Sequence, residues 1–151
     1  MGKGKDQCVD TPGYFDFVGE VEEAVSAADA AVIVVSGKAG VEVGTEKAWE
    51  LCDKYNLPRM VYVTEMDMDD ASFRNVVEEL TARYGKVIAP HFQPIRENEQ
   101  LVGYVNVIKN AARRYTGIGQ REECEIPDYC LPNLKIYRDT LLETVARQVK
   151  T

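Results

Sequence analysis

At 151 residues the chain can bury one core of domain size, and it is too short for several. Its 45% hydrophobic and 28% charged residues exclude a disordered chain, and no apolar run approaches the roughly 20 residues of a membrane span. A net charge of -7 argues against direct nucleic-acid binding, which needs clustered Lys and Arg.

In chain order, "MGKGKDQ" lacks the apolar segment of a secretory signal, so the chain reads as cytoplasmic. A short strand is expected to end at Val9, followed by the corner "DTPG" at Asp10 to Gly13. Val18, Val21, Val25 and Ala28 then mark one face of a helix. "AAVIVVSG" (Ala30 to Gly37) is a continuous apolar run closed by Gly, the pattern of a strand covered on both faces. Ala48, Leu51, Cys52 and Tyr55 space a second helix, stopped at "NLP", and "RMVYVT" (Arg59 to Thr64) is another buried-type strand.

Phe73, Val76, Val77, Leu80 and Tyr84 form the cleanest helical stripe, with Gly85 in the C-cap position and Asp69 and Asp70 placed to cap its start. "KVIAPHFQPI" (Lys86 to Ile95) reads as a further strand, in which His91 is expected to be a partly buried structural group. Strands alternating with helices point to βαβ units and a parallel sheet up to Ile95. Beyond it the rhythm breaks. "ENEQLVGYVNVI" reads as a turn and an antiparallel-type strand, and "NAARRYTGIGQREECEIPDYCLPN" as a polar insertion. A last helix is expected from Leu134 to Val149. The four cysteines form no CxxC pair and have one His to join them, which favours free thiols over a zinc site.

Ligands of open parallel sheets bind beyond the carboxyl ends of the strands. Three such ends are expected here: "DTPG", "SGKAG" and "TEMD". An Asp at a strand end can hold Mg²⁺, and a nearby Gly lets a backbone N–H approach a phosphate; the tetrapeptide alone is equally a β-turn with Pro at its second position.

The ordered run from "DTPGYFDFVGEVEEAV" through "GVEVGTEKAWE", "YNLPR", "TEMD", "FQPI" and "LVGYVNVI" to "IPDYCLPNLKIYRDTLLETVA" resembles the GTPase domain of translation elongation factor G, and more closely its elongation factor G-like paralogues. The resemblance implies a three-layer αβα P-loop GTPase-like fold, α/β with a mostly parallel sheet, truncated at its N-terminal strands and carrying an inserted subdomain. Its expected divisions are a partial GTPase core over 1–95, an inserted segment over 96–133 and the return helix over 134–151. It further implies a parent that binds GTP or GDP with Mg²⁺ and works on the ribosome in protein biosynthesis. Asp10 would face the Mg²⁺, the Gly13 N–H would meet the γ-phosphate, and the segment from Pro12 to about Glu20 would be the second switch. Thr64 and Asp67 would lie at the base, with Asp67 accepting two hydrogen bonds from the guanine edge.

The sequence departs from that family in three places. No G-x-x-x-x-G-K-[ST] occurs in it, so these residues are expected to belong to a longer protein and, alone, to have no useful GTP affinity, to hold no nucleotide or Mg²⁺ and to be inactive. Tyr14 replaces the His that positions the attacking water, and a phenol is a poor proton acceptor. "TEMD" replaces N-K-x-D, and two lost contacts at roughly 0.5 to 1.5 kcal/mol each would weaken guanine affinity about tenfold. The alternative is a degenerate GTPase-fold module that binds a partner without nucleotide. An unrelated α/β regulator is a third reading. The missing strands also imply a sheet edge open to self-association.

Overall fold

The computed structural model describes residues 7–13 and 15–148. The chain divides into two compact units, one of Met1–Val35 with Glu42–Tyr62 and one of Ser36–Val41 with Val63–Thr151. The class is mixed α/β, with a small parallel sheet and a larger antiparallel one.

In the first unit, α1 (Val18–Ala27) follows a 3₁₀ turn at Phe15–Phe17, and α2 (Val43–Lys54) lies in sequence between the strands β1 (Ala31–Ser36) and β2 (Arg59–Thr64), whose last residues, Ser36, Val63 and Thr64, fall to the second unit. These two strands form a two-stranded sheet. The Ala31 N–H donates to the Pro58 carbonyl at 2.9 Å and the Gly37 N–H to the Thr64 carbonyl at 2.9 Å, the same offset at both ends, which makes the pair parallel.

The strand expected to end at Val9 does not form: residues 7–13 carry no regular structure. A strand exists through its ladder, and β1 and β2 pair only with each other among the described residues. Apolar composition also overstates how much of this sheet is covered. Ile33 and Val35 are buried, whereas Val32, Val34, Met60 and Tyr62 are each 58–60% exposed on alternate positions. One face is packed and the other is an open apolar stripe.

Polar contacts knit the helices of this unit. The Glu22 carboxylate takes the Lys54 ammonium and the Tyr55 hydroxyl, the latter at 2.8 Å. The Lys54 bond, then the Tyr55 bond, hold that carboxyl below the usual carboxylate range. All three groups face solvent, so the cluster is a fastening of small worth. Arg59 reaches back over the Trp49 ring at 4.5 Å, donates to the Trp49 carbonyl at 3.0 Å and pairs with Asp53.

The second unit holds α3 (Phe73–Tyr84), β3 (Phe92–Glu97), β4 (Gln100–Asn106), β5 (Ala111–Gly117), β6 (Gln120–Cys124) and α4 (Leu131–Gln148). The four strands make one antiparallel sheet in chain order. The expected stripe of α3 is realised, with Val76 and Leu80 buried and Gly85 closing the helix at φ 76°. Its start is capped by Ser72, whose Oγ accepts from the Asn75 N–H at 3.2 Å, while Asp69 and Asp70 stay exposed in the preceding turn.

The strand expected from Lys86 begins later, at Phe92. A 3₁₀ turn occupies Gly85–Val87, and His91 sits in a bend and is exposed. Pairing with β4 sets the strand's limits: Glu97 lies opposite Gln100, and the two turn residues Asn98 and Glu99 have φ 50° and 66°, a type I′ hairpin. The helix α4 starts three residues before Leu134, because Pro132 is tolerated in a first turn whose N–H groups need no partner.

The core of this unit joins the inner face of the sheet (Ile95, Val105, Val107, Ala112) to Cys130, Leu134 and Tyr137, with Phe73 and Val77 against them. Burial raises the Tyr137 phenol above its ordinary value. All four cysteines are free thiols: Cys8 is exposed, Cys124 intermediate, and Cys52 and Cys130 are buried, one in each unit, their thiols pushed up by desolvation.

Candidate functional site

The second unit contains two of the three expected strand ends, and they are built as one structure. At "SGKAG" the chain turns sharply: the Ser36 Oγ accepts from the Lys38 and Ala39 N–H groups at 3.2 and 3.0 Å, and the Gly40 N–H returns to the Ser36 carbonyl at 3.0 Å. The Glu79 carboxylate on α3 accepts from the Val41 N–H at 2.8 Å, closing the turn's far end. Gly37 is the contact with the second loop. Its N–H donates to the Thr64 carbonyl, and its carbonyl accepts from the Ser72 N–H at 2.9 Å. A Cβ at Gly37 would stand 2.8 Å from Met66 Sδ and 2.9 Å from the Thr64 oxygen, so the close approach requires glycine.

The loop from Thr64 to Ser72 is therefore spanned at both ends by one residue. Inside it, Glu65 at φ 56° and Asp70 at φ 65° take left-handed backbone, the Met68 N–H donates to the Glu65 carbonyl at 3.1 Å, and the Ala71 N–H to the Met68 carbonyl at 3.3 Å. Met66 and Ala71 turn inward and are buried; Asp67 between them is exposed. The Glu65 carboxylate accepts the Ser36 hydroxyl, which ties the two loops a second time.

One contributor is not legible in the sequence. The guanidinium of Arg96, on β3, donates to the carbonyls of Ala71, Met68 and Glu99, the Met68 contact being 3.4 Å, and the Arg96 carbonyl accepts from the Tyr129 hydroxyl at 3.0 Å. A lone Arg inside a strand gives no sign of such reach; only a register that carries its side chain to another loop reveals it.

Of the expected site residues, Thr64 and Asp67 thus lie on one fixed loop, Thr64 half-buried and Asp67 open to solvent. Asp10 and Gly13 belong to the first unit, in the exposed irregular segment, and a Cβ at Gly13 would meet nothing within 4 Å. That open backbone is compatible with the approach of a phosphate, and the exposed Asp67 with the edge of a base. Tyr14 lies outside the described residues.

The model of the Elongation factor Tu GTP binding domain matches residues 3–151. The chain belongs to that family. Among relatives, an Elongation factor G-like protein of Thermotoga maritima is 36% identical over 140 residues, covering 93% of this chain and 20% of its own length. An Elongation factor G of Thermotoga neapolitana is 36% identical over 145 residues, 95% of this chain and 21% of the relative. A mitochondrial Ribosome-releasing factor 2 of Culex quinquefasciatus is 40% identical over 103 residues, 68% and 14%. A crystal structure from Thermus thermophilus superposes with a TM-score of 0.80 at 40% identity, covering 89% of this chain and 20% of that one. The Elongation factor Tu GTP binding family thereby carries both the mixed α/β fold and the resemblance stated above. This chain spans about a fifth of the length of the first of these relatives.

Proposed function

We propose that this chain supplies the guanine-recognising loop and the second switch of a translational GTPase of the elongation factor G-like type, acting with GTP or GDP and Mg²⁺ on the ribosome in the cytoplasm. The observation that supports it most directly is the Thr64–Ser72 loop, held at both ends by Gly37 and presenting the Asp67 carboxylate to solvent. In this reading Asp67 accepts from the guanine edge with Thr64 beside it, Asp10 holds Mg²⁺ through water, the Gly13 N–H meets the terminal phosphate and Tyr14 orients water. When bound, the metal would neutralise phosphate charge. The proposed divisions are a partial core over 1–95, an inserted segment over 96–133 and a return segment over 134–151, the helix α4 itself beginning earlier, at Leu131.

The test uses the full chain and millimolar GMP and XMP, which share a phosphate and differ at the base. Saturable shifts of the Asp67 to Ala71 amides are expected with GMP. Asp67→Asn should exchange an acceptor for a donor and reverse the GMP-over-XMP preference by about tenfold, as expected for a hydrogen bond to a charged group. No saturable shift with either nucleotide removes the reading. The chain alone is expected to release no phosphate from GTP, since the backbone and Lys of a phosphate-binding loop supply most of a triphosphate's binding.

A second reading has one observation in its favour. Glu65 stands where the family motif has a Lys whose stem lies along the base, and its carboxylate is instead occupied by Ser36. A nucleotide-independent interaction module would give stable folding and no GMP response.

Self-association belongs to the same proposal. Val32, Val34, Met60 and Tyr62 form an exposed apolar stripe, and the two-stranded sheet has open edges among the described residues. Dimers are expected at high concentration, and Val34→Lys with Tyr62→Lys should shift sedimentation to the monomer; a wild-type monomer throughout would count against it.

A further inference from the structure

We infer that Arg96 is a positioning residue for base recognition: its guanidinium fixes the far half of the Thr64–Ser72 loop, so that the antiparallel sheet sets the aim of Asp67. The inference rests on the guanine reading proposed above and deepens it.

Gly37 and Ser36 hold the loop on the side of the parallel strands, through the Thr64 carbonyl, the Ser72 N–H and the Glu65 carboxylate. None of these contacts reaches Met68 or Ala71, the residues that follow Asp67. Arg96 does, donating to both of their carbonyls. The guanidinium is a planar fork with several fixed donors, so two carbonyls three residues apart are held at a set spacing, and each bond is charge-assisted. The anchor itself is rigid. Arg96 follows Ile95, which is 1% exposed in the core, and its backbone carbonyl is held by the Tyr129 hydroxyl. A third bond, to the Glu99 carbonyl, braces the guanidinium against the hairpin turn that follows β3.

A carboxylate that accepts two hydrogen bonds from a base edge must be held within a fraction of an ångström, and Gly37 fixes only the two ends of the loop, so the carbonyls after Asp67 gain a fixed external anchor from Arg96 alone among the described residues. Losing the Arg96 bonds frees the Ala71 carbonyl and leaves the Met68 carbonyl only the Ala71 N–H, which loosens the segment after Asp67 while the loop's attachment at Gly37 remains.

The closing experiment compares the wild-type chain with Arg96→Leu and Arg96→Lys by NMR, reading amide hydrogen exchange and titrations with GMP and with IMP. IMP lacks the 2-amino group that the second hydrogen bond to Asp67 requires. The wild type is expected to prefer GMP over IMP by about three- to tenfold, the worth of one such bond. Arg96→Leu should bring that ratio to about one, with IMP affinity nearly unchanged, and speed exchange at Met68 and Ala71 while the β3 to β6 amides keep their protection. Arg96→Lys, which keeps the charge and loses the fork, should fall between. A residue with only a structural role would weaken both nucleotides equally or deprotect the sheet, and either result overturns the inference. An Arg96→Leu ratio equal to that of the wild type overturns it as well and leaves the guanine reading standing. If the wild type shows no GMP response, the guanine reading fails and the inference with it, whatever the exchange data show of the loop.

Discussion

Gly103→Ala is expected to destabilise the second unit by about 3 kcal/mol, at the upper end of what overpacking costs. Gly103 sits in the middle of β4, opposite Ile95 on one side and Arg114 on the other. A Cβ there would stand 2.2 Å from the Arg113 carbonyl oxygen and 3.0 Å from the Arg114 Cα. Both atoms are backbone, so no side-chain rotation relieves the clash. β5 cannot simply retreat either, because it is paired to β6 on its far side. The added methyl must therefore break the β4–β5 ladder locally or push two strands away from a core that contains Val105 and Ala112. Thermal unfolding followed by circular dichroism should show a midpoint lower by roughly 6 to 12 °C for a chain of this size. A midpoint within about 2 °C of the wild type would mean that β4 and β5 lie farther apart than the clash requires.

The second large effect is expected from Gly37→Ala. Here the clash partners differ in kind. Met66 Sδ is the end of a flexible side chain and can move, whereas the Thr64 oxygen is held by the N–H of Gly37 itself. Relief by moving that carbonyl costs the hydrogen bond that joins the two strand ends. We expect a loss of about 1 to 2 kcal/mol in global stability. Faster amide exchange across Met68 to Ser72 and loss of any GMP response in the loop should accompany it. A stable variant with an unchanged GMP titration would show that the Gly37 contact does not shape the site.

How much of this is legible in the residues differs by element. The stripe of α3 announces itself because five apolar positions and a terminal Gly all agree, and the helix ends where they predict. Its cap falls to Ser72 rather than to the expected aspartates because Asp69, Asp70 and Ser72 are all competent cap residues in one short turn, and only backbone geometry distinguishes them. The hairpin of β5 and β6 reads in sequence as a polar insertion without strands. Its segments, "AARRYTG" and "QREEC", alternate small or charged groups rather than apolar ones, and what orders them is cross-strand pairing, Arg113 with Glu123 among others. Register, which sequence periodicity does not carry between strands, also places Arg96 at the loop of Asp67. That a loop follows the apolar run "RMVYVT" is legible in the residues, whereas its closure through Gly37 and Arg96 depends on contacts that sequence periodicity does not carry.

The distribution of cysteines gives each half of the molecule its own reporter of opening. Cys52 and Cys130 are 1% and 0% exposed, one in each unit, so neither sulfur meets a thiol reagent until its surroundings come apart. With Cys8 and Cys124 replaced by serine, the labelling rate of each remaining thiol would measure how often that half breathes. If the two rates coincide, the halves melt as a single cooperative body; if they part, each has its own stability and the order of their loss can be read directly.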